Sequence, residues 1–147
     1  GAMSARGGID DAGNTAEAVA PVLMTNMVGP FCTARAFLEP LTRSQNPRIT
    51  IISSFMGSQQ HKGAAAYFYR ASKAGANNLM VTLANELKPK NIAVASYHPG
   101  WVQTDMGGPG ADITPHESAK GLLARFQELG MASTGQFINY DGSPLPL

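Results

Sequence analysis

Cysteine is nearly missing from this chain: Cys32 stands alone, so no internal disulfide can form. Histidine is scarce as well. His61, His98 and His116 are dispersed, and with one thiol they supply no ligand set at metal-site spacing. His61 reads as a solvated loop residue, and His98 as a strand-end cap rather than a metal ligand. No apolar run is long enough for a bilayer-crossing helix or a secretory leader, so a membrane is not an expected partner and the cytoplasm is the expected compartment. An excess of charge of either sign is also lacking. Eleven basic and ten acidic side chains leave a formal net charge of +1 without a basic patch, which argues against nucleic acid as a partner. No internal repeat interrupts the pattern.

What is present suits one globular domain: 147 residues, 44% hydrophobic and only 14% charged, enough to bury a core. Sixteen glycines and ten prolines scatter through turns without a period. Gly1-Ala2-Met3 reads as a remnant of tag cleavage. Ser4 to Thr15, rich in Gly and Asp with little to bury, reads as a mobile arm. The expected division is therefore an arm over 1–15 and a folded unit over 16–147.

Helical spacing of Val22, Met27, Phe31, Ala34, Leu38 and Leu41 predicts one long bent helix, or two, over Ala16–Arg43, with Gly29-Pro30 at the bend. Asn46-Pro47 ends it, and the β-branched run Arg48–Ser54 follows as a strand covered on both faces. A polar loop leads to a helix over Ala64–Leu87, stopped at Lys88-Pro89. Asn91–Tyr97 is a second buried strand. Thr114-Pro115-His-Glu117 places a cap, a first-turn proline and an acid where a helix should start, and Gly130 ends that helix after Leu129. Gln136–Tyr140 is the third strand. This alternation predicts an α/β fold, a parallel sheet of about three strands with flanking helices.

Tyr69-Arg-Ala-Ser-Lys73 puts a phenol and an ammonium four residues apart, on one helix face. An ammonium close to a phenol favours phenolate, which makes tyrosine a usable general acid and base. A solvated helix face would show the same spacing. Ser53 and Ser54, however, end the first strand, and ligands of parallel α/β sheets bind at the carboxyl ends of strands. There a hydroxyl could hold a substrate oxygen, or simply satisfy backbone groups. The second strand ends at the same edge in His98-Pro-Gly-Trp-Val-Gln-Thr104-Asp-Met.

Together, Ile-Ser-Ser54, Tyr69-x-x-x-Lys73, Pro99-Gly100-Trp-Val-x-Thr104 and Asn26-Met-Val-Gly29-Pro30-Phe resemble the short-chain dehydrogenase/reductases in type, order and spacing, from about Val22 to the end. Within that family, His-Pro-Gly-Trp-Val-x-Thr-Asp-Met-Gly-Gly-Pro is most similar to the sniffer-type carbonyl reductases and the bacterial C-factor proteins. The resemblance implies an NAD- or NADP-dependent oxidoreductase that reduces a carbonyl or oxidises a secondary alcohol. Tyr69 would be the general acid/base. Lys73 would favour its phenolate and hold the nicotinamide ribose. Ser54 would bind the substrate oxygen, with Ser58 as fallback because the Ser54–Tyr69 separation is wide, and Asn26 would support a proton-relay water. Pro99, Gly100, Val102 and Thr104 would border the nicotinamide. Tyr67, a second phenol, faces away from Lys73.

The resemblance also implies what should precede these motifs: a strand, a glycine-rich turn and a helix that receives the pyrophosphate. Gly7-Gly8 lacks such a strand, so the expectation is a truncated Rossmann-like unit without its nucleotide-binding half, weak or inactive by itself. A strand left open at Arg48–Ser54 demands cover, and family members pair the helices equivalent to 16–43 and 64–87. A homodimer or larger assembly is therefore expected. The competing expectation is a non-catalytic oligomerising or signalling module derived from such an enzyme.

Overall fold

The computed structural model describes residues 1–3 and 5–147; Ser4, within the expected arm, lies outside the described residues. The chain opens with helices α1 (Ala16–Leu23), α2 (Gly29–Ala36) and α3 (Leu38–Thr42), with a π-helical turn over Met24–Val28. This is the bent helix expected over Ala16–Arg43. The bend, though, begins one turn earlier than Gly29-Pro30. Pro30 has no N–H to give, so the bonding pattern has already loosened to i→i+5 before it. Thr15 caps α1 by accepting the Ala18 N–H at 3.2 Å.

Strand β1 (Arg48–Ile52) runs into a 3-10 turn over Phe55–Gly57, then a loop, then helix α4 (Tyr67–Leu87). The helix starts three residues later than expected because Ala65 and Ala66 hold positive φ, 67° and 49°. The Arg70 guanidinium clips the preceding loop to α4 by donating to the His61 carbonyl. Strand β2 (Ala93–His98) follows, then α5 (Pro115–Glu128), β3 (Phe137–Asn139) and β4 (Pro144–Leu145). At the start of α5, Thr114 and Glu117 form a reciprocal capping box, as their spacing predicts.

The sheet order is β1-β2-β3-β4. The first three strands are parallel, in register Ile51↔Ser96 and Tyr97↔Ile138, and β4 returns antiparallel to β3. Four strands thus replace the three expected. The fourth is two residues long, below the length at which a hydrophobic pattern can show itself, and hairpin geometry at Asp141-Gly142 creates it.

Alternation along β2 divides the core. Val94 faces α4 and packs with Ile51, Ala76, Met80, Leu83 and Leu87. Ala93, Ala95 and Tyr97 face the other way, toward Leu122, Phe126 and Leu129. The sheet is therefore covered on both faces, a Rossmann-like α/β architecture. Among the described residues no helix is long and apolar enough to cross a membrane.

Candidate active site

Two strand ends and one helix build the site. The β1 ladder extends one bond past Ile52, where the Ser53 N–H donates to the Tyr97 carbonyl at 2.8 Å. Ser53 and Ser54 are both buried. The Ser53 hydroxyl donates to the Lys73 carbonyl at 3.2 Å, and Ser54 Oγ accepts the Met56 N–H at 3.2 Å, capping the 3-10 turn. That turn lies directly on α4. A Cβ at Gly57 would stand 2.7 Å from the Lys73 carbonyl carbon, so glycine alone permits the approach. Ser54 and Tyr69 border the same cavity despite their wide separation in sequence. Ser58 is buried and accepts the Gln60 N–H, but does not line the cavity that Ser54 lines.

Tyr69, Ser72, Lys73 and Asn77 form a buried face of α4, while Tyr67 is 45% exposed. Lys73 Nζ donates to the Ile52 carbonyl at 2.9 Å and lies 5.8 Å from the centre of the Tyr69 ring. Burial pulls the Lys73 ammonium down to about 8, because the charged form loses hydration. Asn26, within the π-helical turn, donates to Ser72 Oγ at 3.0 Å. Ser72 in turn donates to the Tyr69 carbonyl at 2.7 Å, which links Asn26 to the Tyr69 turn of α4.

The residues before Ala16 lie against this region. Asn26 exchanges two bonds with Ala2, each 2.7 Å. Burial and then the nearby Lys73 charge lower the Gly1 ammonium from its usual range. Arg6 donates to the Met106 carbonyl at 2.9 Å.

After His98 the chain turns through Pro99 and Gly100, whose φ is +85° and whose Cβ would meet Ile113 and Tyr140. Ser118 fastens this turn, donating to the Pro99 carbonyl at 2.6 Å. The rim Val102–Ile113 is pinned by a bridge between those two residues.

Ser54, Tyr69, Pro99, Gly100, Val102 and Thr104 line one cavity of about 650 Å³ at the carboxyl ends of β1 and β2. Asn26 and Lys73 line a neighbouring concavity of about 730 Å³ along the free edge of β1. The sequence-predicted residues thus fall on two adjoining concavities, with α4 presenting Tyr69 to one and Lys73 to the other.

Two polar groups escaped the sequence reading. Ser72 carries no signal beyond its place between Tyr69 and Lys73. Asn77 continues their i, i+4 series, so face periodicity could have found it; its Oδ1 accepts the Ser96 hydroxyl at 3.0 Å, tying α4 to the middle of the sheet.

The family model described as short chain dehydrogenase matches residues 5–112, a span that opens before α1 and closes before α5. C-signal of Myxococcus xanthus is 35% identical over 122 residues, which cover 82% of this chain and 74% of that protein. The carbonyl reductase Sniffer of D. melanogaster superposes over the whole chain and 64% of its own length, with a TM-score of 0.87 at 33% identity. A carbonyl reductase from chicken fatty liver, solved with NADPH bound, gives 0.89 at 30% identity over 63% of its length. The chain therefore spans less than two thirds of those two solved reductases. With its helix-covered parallel sheet and a family match over most of its length, this chain belongs to the short-chain dehydrogenase/reductase family, on the branch that includes sniffer-type carbonyl reductases and C-signal.

Proposed function

We propose that the 650 Å³ cavity is the substrate site of an oxidoreductase that interconverts a carbonyl and a secondary alcohol with NAD or NADP. The observation that carries this reading is the shared cavity: Ser54, Tyr69 and the Pro99–Thr104 rim surround one space while Lys73 stands behind the phenol ring.

In the reducing direction, the Ser54 hydroxyl, with no acceptor of its own among the described residues, holds the substrate oxygen. Tyr69 gives that oxygen its phenolic proton, and the reverse transfer serves alcohol oxidation. Lys73, fixed by Ile52, holds its ammonium 5.8 Å from the centre of the phenol ring, and the Asn26–Ser72 link supports the helix turn that carries Tyr69. Bound nicotinamide would supply or accept the hydride.

The nicotinamide end of a dinucleotide fits these residues. Lys73 retains N–H donors beyond the one given to Ile52, and Pro99, Gly100, Val102 and Thr104 border the same cavity as Tyr69. The pyrophosphate end does not. The glycine-rich loop 104–113 leads to α5, where the Glu117 N–H donates to Thr114 Oγ1 and the Glu117 carboxylate accepts from the Thr114 N–H and hydroxyl, and the negative charge placed at that helix start would repel phosphate. Weak cofactor binding and low turnover follow for these 147 residues alone, the behaviour of a Rossmann-like unit truncated on its nucleotide-binding side. Titrating NADH and NADPH by nicotinamide fluorescence, with a panel of aldehydes and ketones, tests the reading. Tyr69→Phe should cut any turnover at least ~100-fold; unchanged turnover in that variant would defeat the assignment.

A second reading, a non-catalytic oligomerising or signalling module, has its own support. β1 lies at an open sheet edge, Met24, Phe31 and Phe37 expose apolar surface along 16–43, and C-signal is similar in sequence. It expects a homodimer through 16–43 and 64–87 and no hydride transfer with any carbonyl.

A further inference from the structure

The 650 Å³ cavity holds one polar side chain that the proposed proton transfer leaves unused. Most of its other polar groups are already committed. Ser118 Oγ donates to the Pro99 carbonyl, and Ser53 Oγ to the Lys73 carbonyl. Thr104 Oγ1 donates to the Val102 carbonyl and accepts the Gly107 N–H. Trp101 Nε1 donates to the Gly107 carbonyl, and Arg6, an exposed side chain, gives one N–H to the Met106 carbonyl and keeps the rest of its guanidinium in water. Ser54 and Tyr69 belong to the reacting oxygen. His98 remains, at the end of β2, half-buried, its main-chain carbonyl taken by the Tyr140 N–H.

Two observations orient its imidazole. Nδ1 is sealed from solvent and has no hydrogen-bond partner among the described residues. The ring centre lies 6.1 Å from that of Phe55, whose ring is tilted against His61 with centres 4.2 Å apart, so one side of the imidazole is apolar. A neutral imidazole carries a single N–H. On Nδ1 that hydrogen would be a buried donor without an acceptor, so it belongs on Nε2, the nitrogen left open. The ring is neutral at ordinary pH, because burial pulls His98 down to about 4, with Asp141 opposing and Lys73 adding to the shift.

We propose that His98 Nε2–H is a third hydrogen-bond donor on the substrate cavity, beside the Ser54–Tyr69 pair, and that the site prefers a carbonyl compound bearing a second acceptor oxygen. The inference rests on the cavity being the substrate site. Phe55, Met56, Trp101, Val102 and Leu122 supply much of the apolar wall. They offer apolar surface to a carbon chain, and a ligand seated against them would shield a hydrogen bond made there from water, which strengthens it. A plain ketone satisfies Ser54 and Tyr69 but strands the His98 donor, and an unmet buried donor disfavours the complex.

The test is NMR on the full 147-residue chain labelled with 15N-histidine, using two ketones that differ by one atom. Methoxyacetone carries an ether oxygen where 2-pentanone carries a methylene. At pH 7, long-range 1H–15N spectra should show His98 as the Nε2–H tautomer. Methoxyacetone should shift Nε2 and bind about fivefold more tightly than 2-pentanone, the scale of one neutral hydrogen bond. In His98→Phe the two affinities should converge, while in His98→Gln, which keeps a donor, the preference should persist. An Nδ1–H tautomer, equal affinity in the unaltered chain, a preference surviving in His98→Phe, or no response of cavity resonances to either ketone would each overturn the proposal. Should His98→Phe fail to fold by circular dichroism, the tautomer, the ketone pair and His98→Gln still decide. None of these readouts needs cofactor or turnover. Loss of the reductase reading would be seen separately, as ketone binding without hydride transfer.

Discussion

Lys73 sets the electrostatics of the site at the level of a single side chain. It is 4% exposed, held by one main-chain carbonyl, and burial lowers its ammonium from 10.5 to about 8. Below pH 8 the folded chain must keep this charge in a poorly hydrated place, a destabilising contribution on the order of 1–3 kcal/mol. Between pH 8 and 10.5 the unfolded chain binds the proton that the folded chain has released, so raising the pH removes the penalty and stability increases. Urea unfolding at pH 7.5 and 9.5 should show that rise, and Lys73→Met should flatten it. The Gly1 ammonium is lowered in the same direction, so the comparison is best made with the amino terminus acetylated. Little of this could be read in the residues beforehand. Tyr69-x-x-x-Lys73 announces a shared face, but only packing reveals that Lys73 turns to Ile52 and lines a different concavity from Tyr69.

Elements were more legible than contacts, for a physical reason. Period 3.6 and β-branched runs are repeated signals, so α4, α5 and the three parallel strands emerge from many residues at once. The π-helical turn at Met24–Val28 depends on one displaced hydrogen bond, and β4 on two residues, so neither leaves a period to detect. Ala64, Ala65 and Ala66 are good helix formers, yet α4 starts only after them because two of the three are held left-handed where the loop closes onto Arg70. Gly57 shows how closely such local geometry supports the site. Gly57→Ala would drive a methyl into the Lys73 main chain, which cannot give way as a flexible side chain could. Thermal and urea unfolding should register a loss of ~2 kcal/mol or more. Loosening of Ser54, whose carbonyl accepts the Gly57 N–H at 2.8 Å, should accompany it as faster exchange of the Met56 amide, which donates to Ser54 Oγ.

For the whole molecule, the open flank of the sheet is the defining feature. Among the described residues β2 is the one strand that pairs with β1, whose other edge lies beside the apolar concavity formed with α2. A flat edge carrying Ile49, Ile51 and Ile52 invites pairing. The chain should therefore associate with rising micromolar concentration in light scattering, and Ile52→Lys, at a residue 42% exposed, should shift it toward monomer. A stable monomer throughout would count against both the association and the module reading. Arg48, at the head of this same strand, reaches across the fold to the last turn of α5, where its guanidinium donates to the carbonyls of Phe126 and Gln127, each at 2.9 Å. That single side chain clasps the vulnerable border strand to a helix nearly eighty positions further along. The strand cannot peel outward until the helix lets go of it, so the segment most inclined to recruit another polypeptide is also tethered to the opposite layer of the protein.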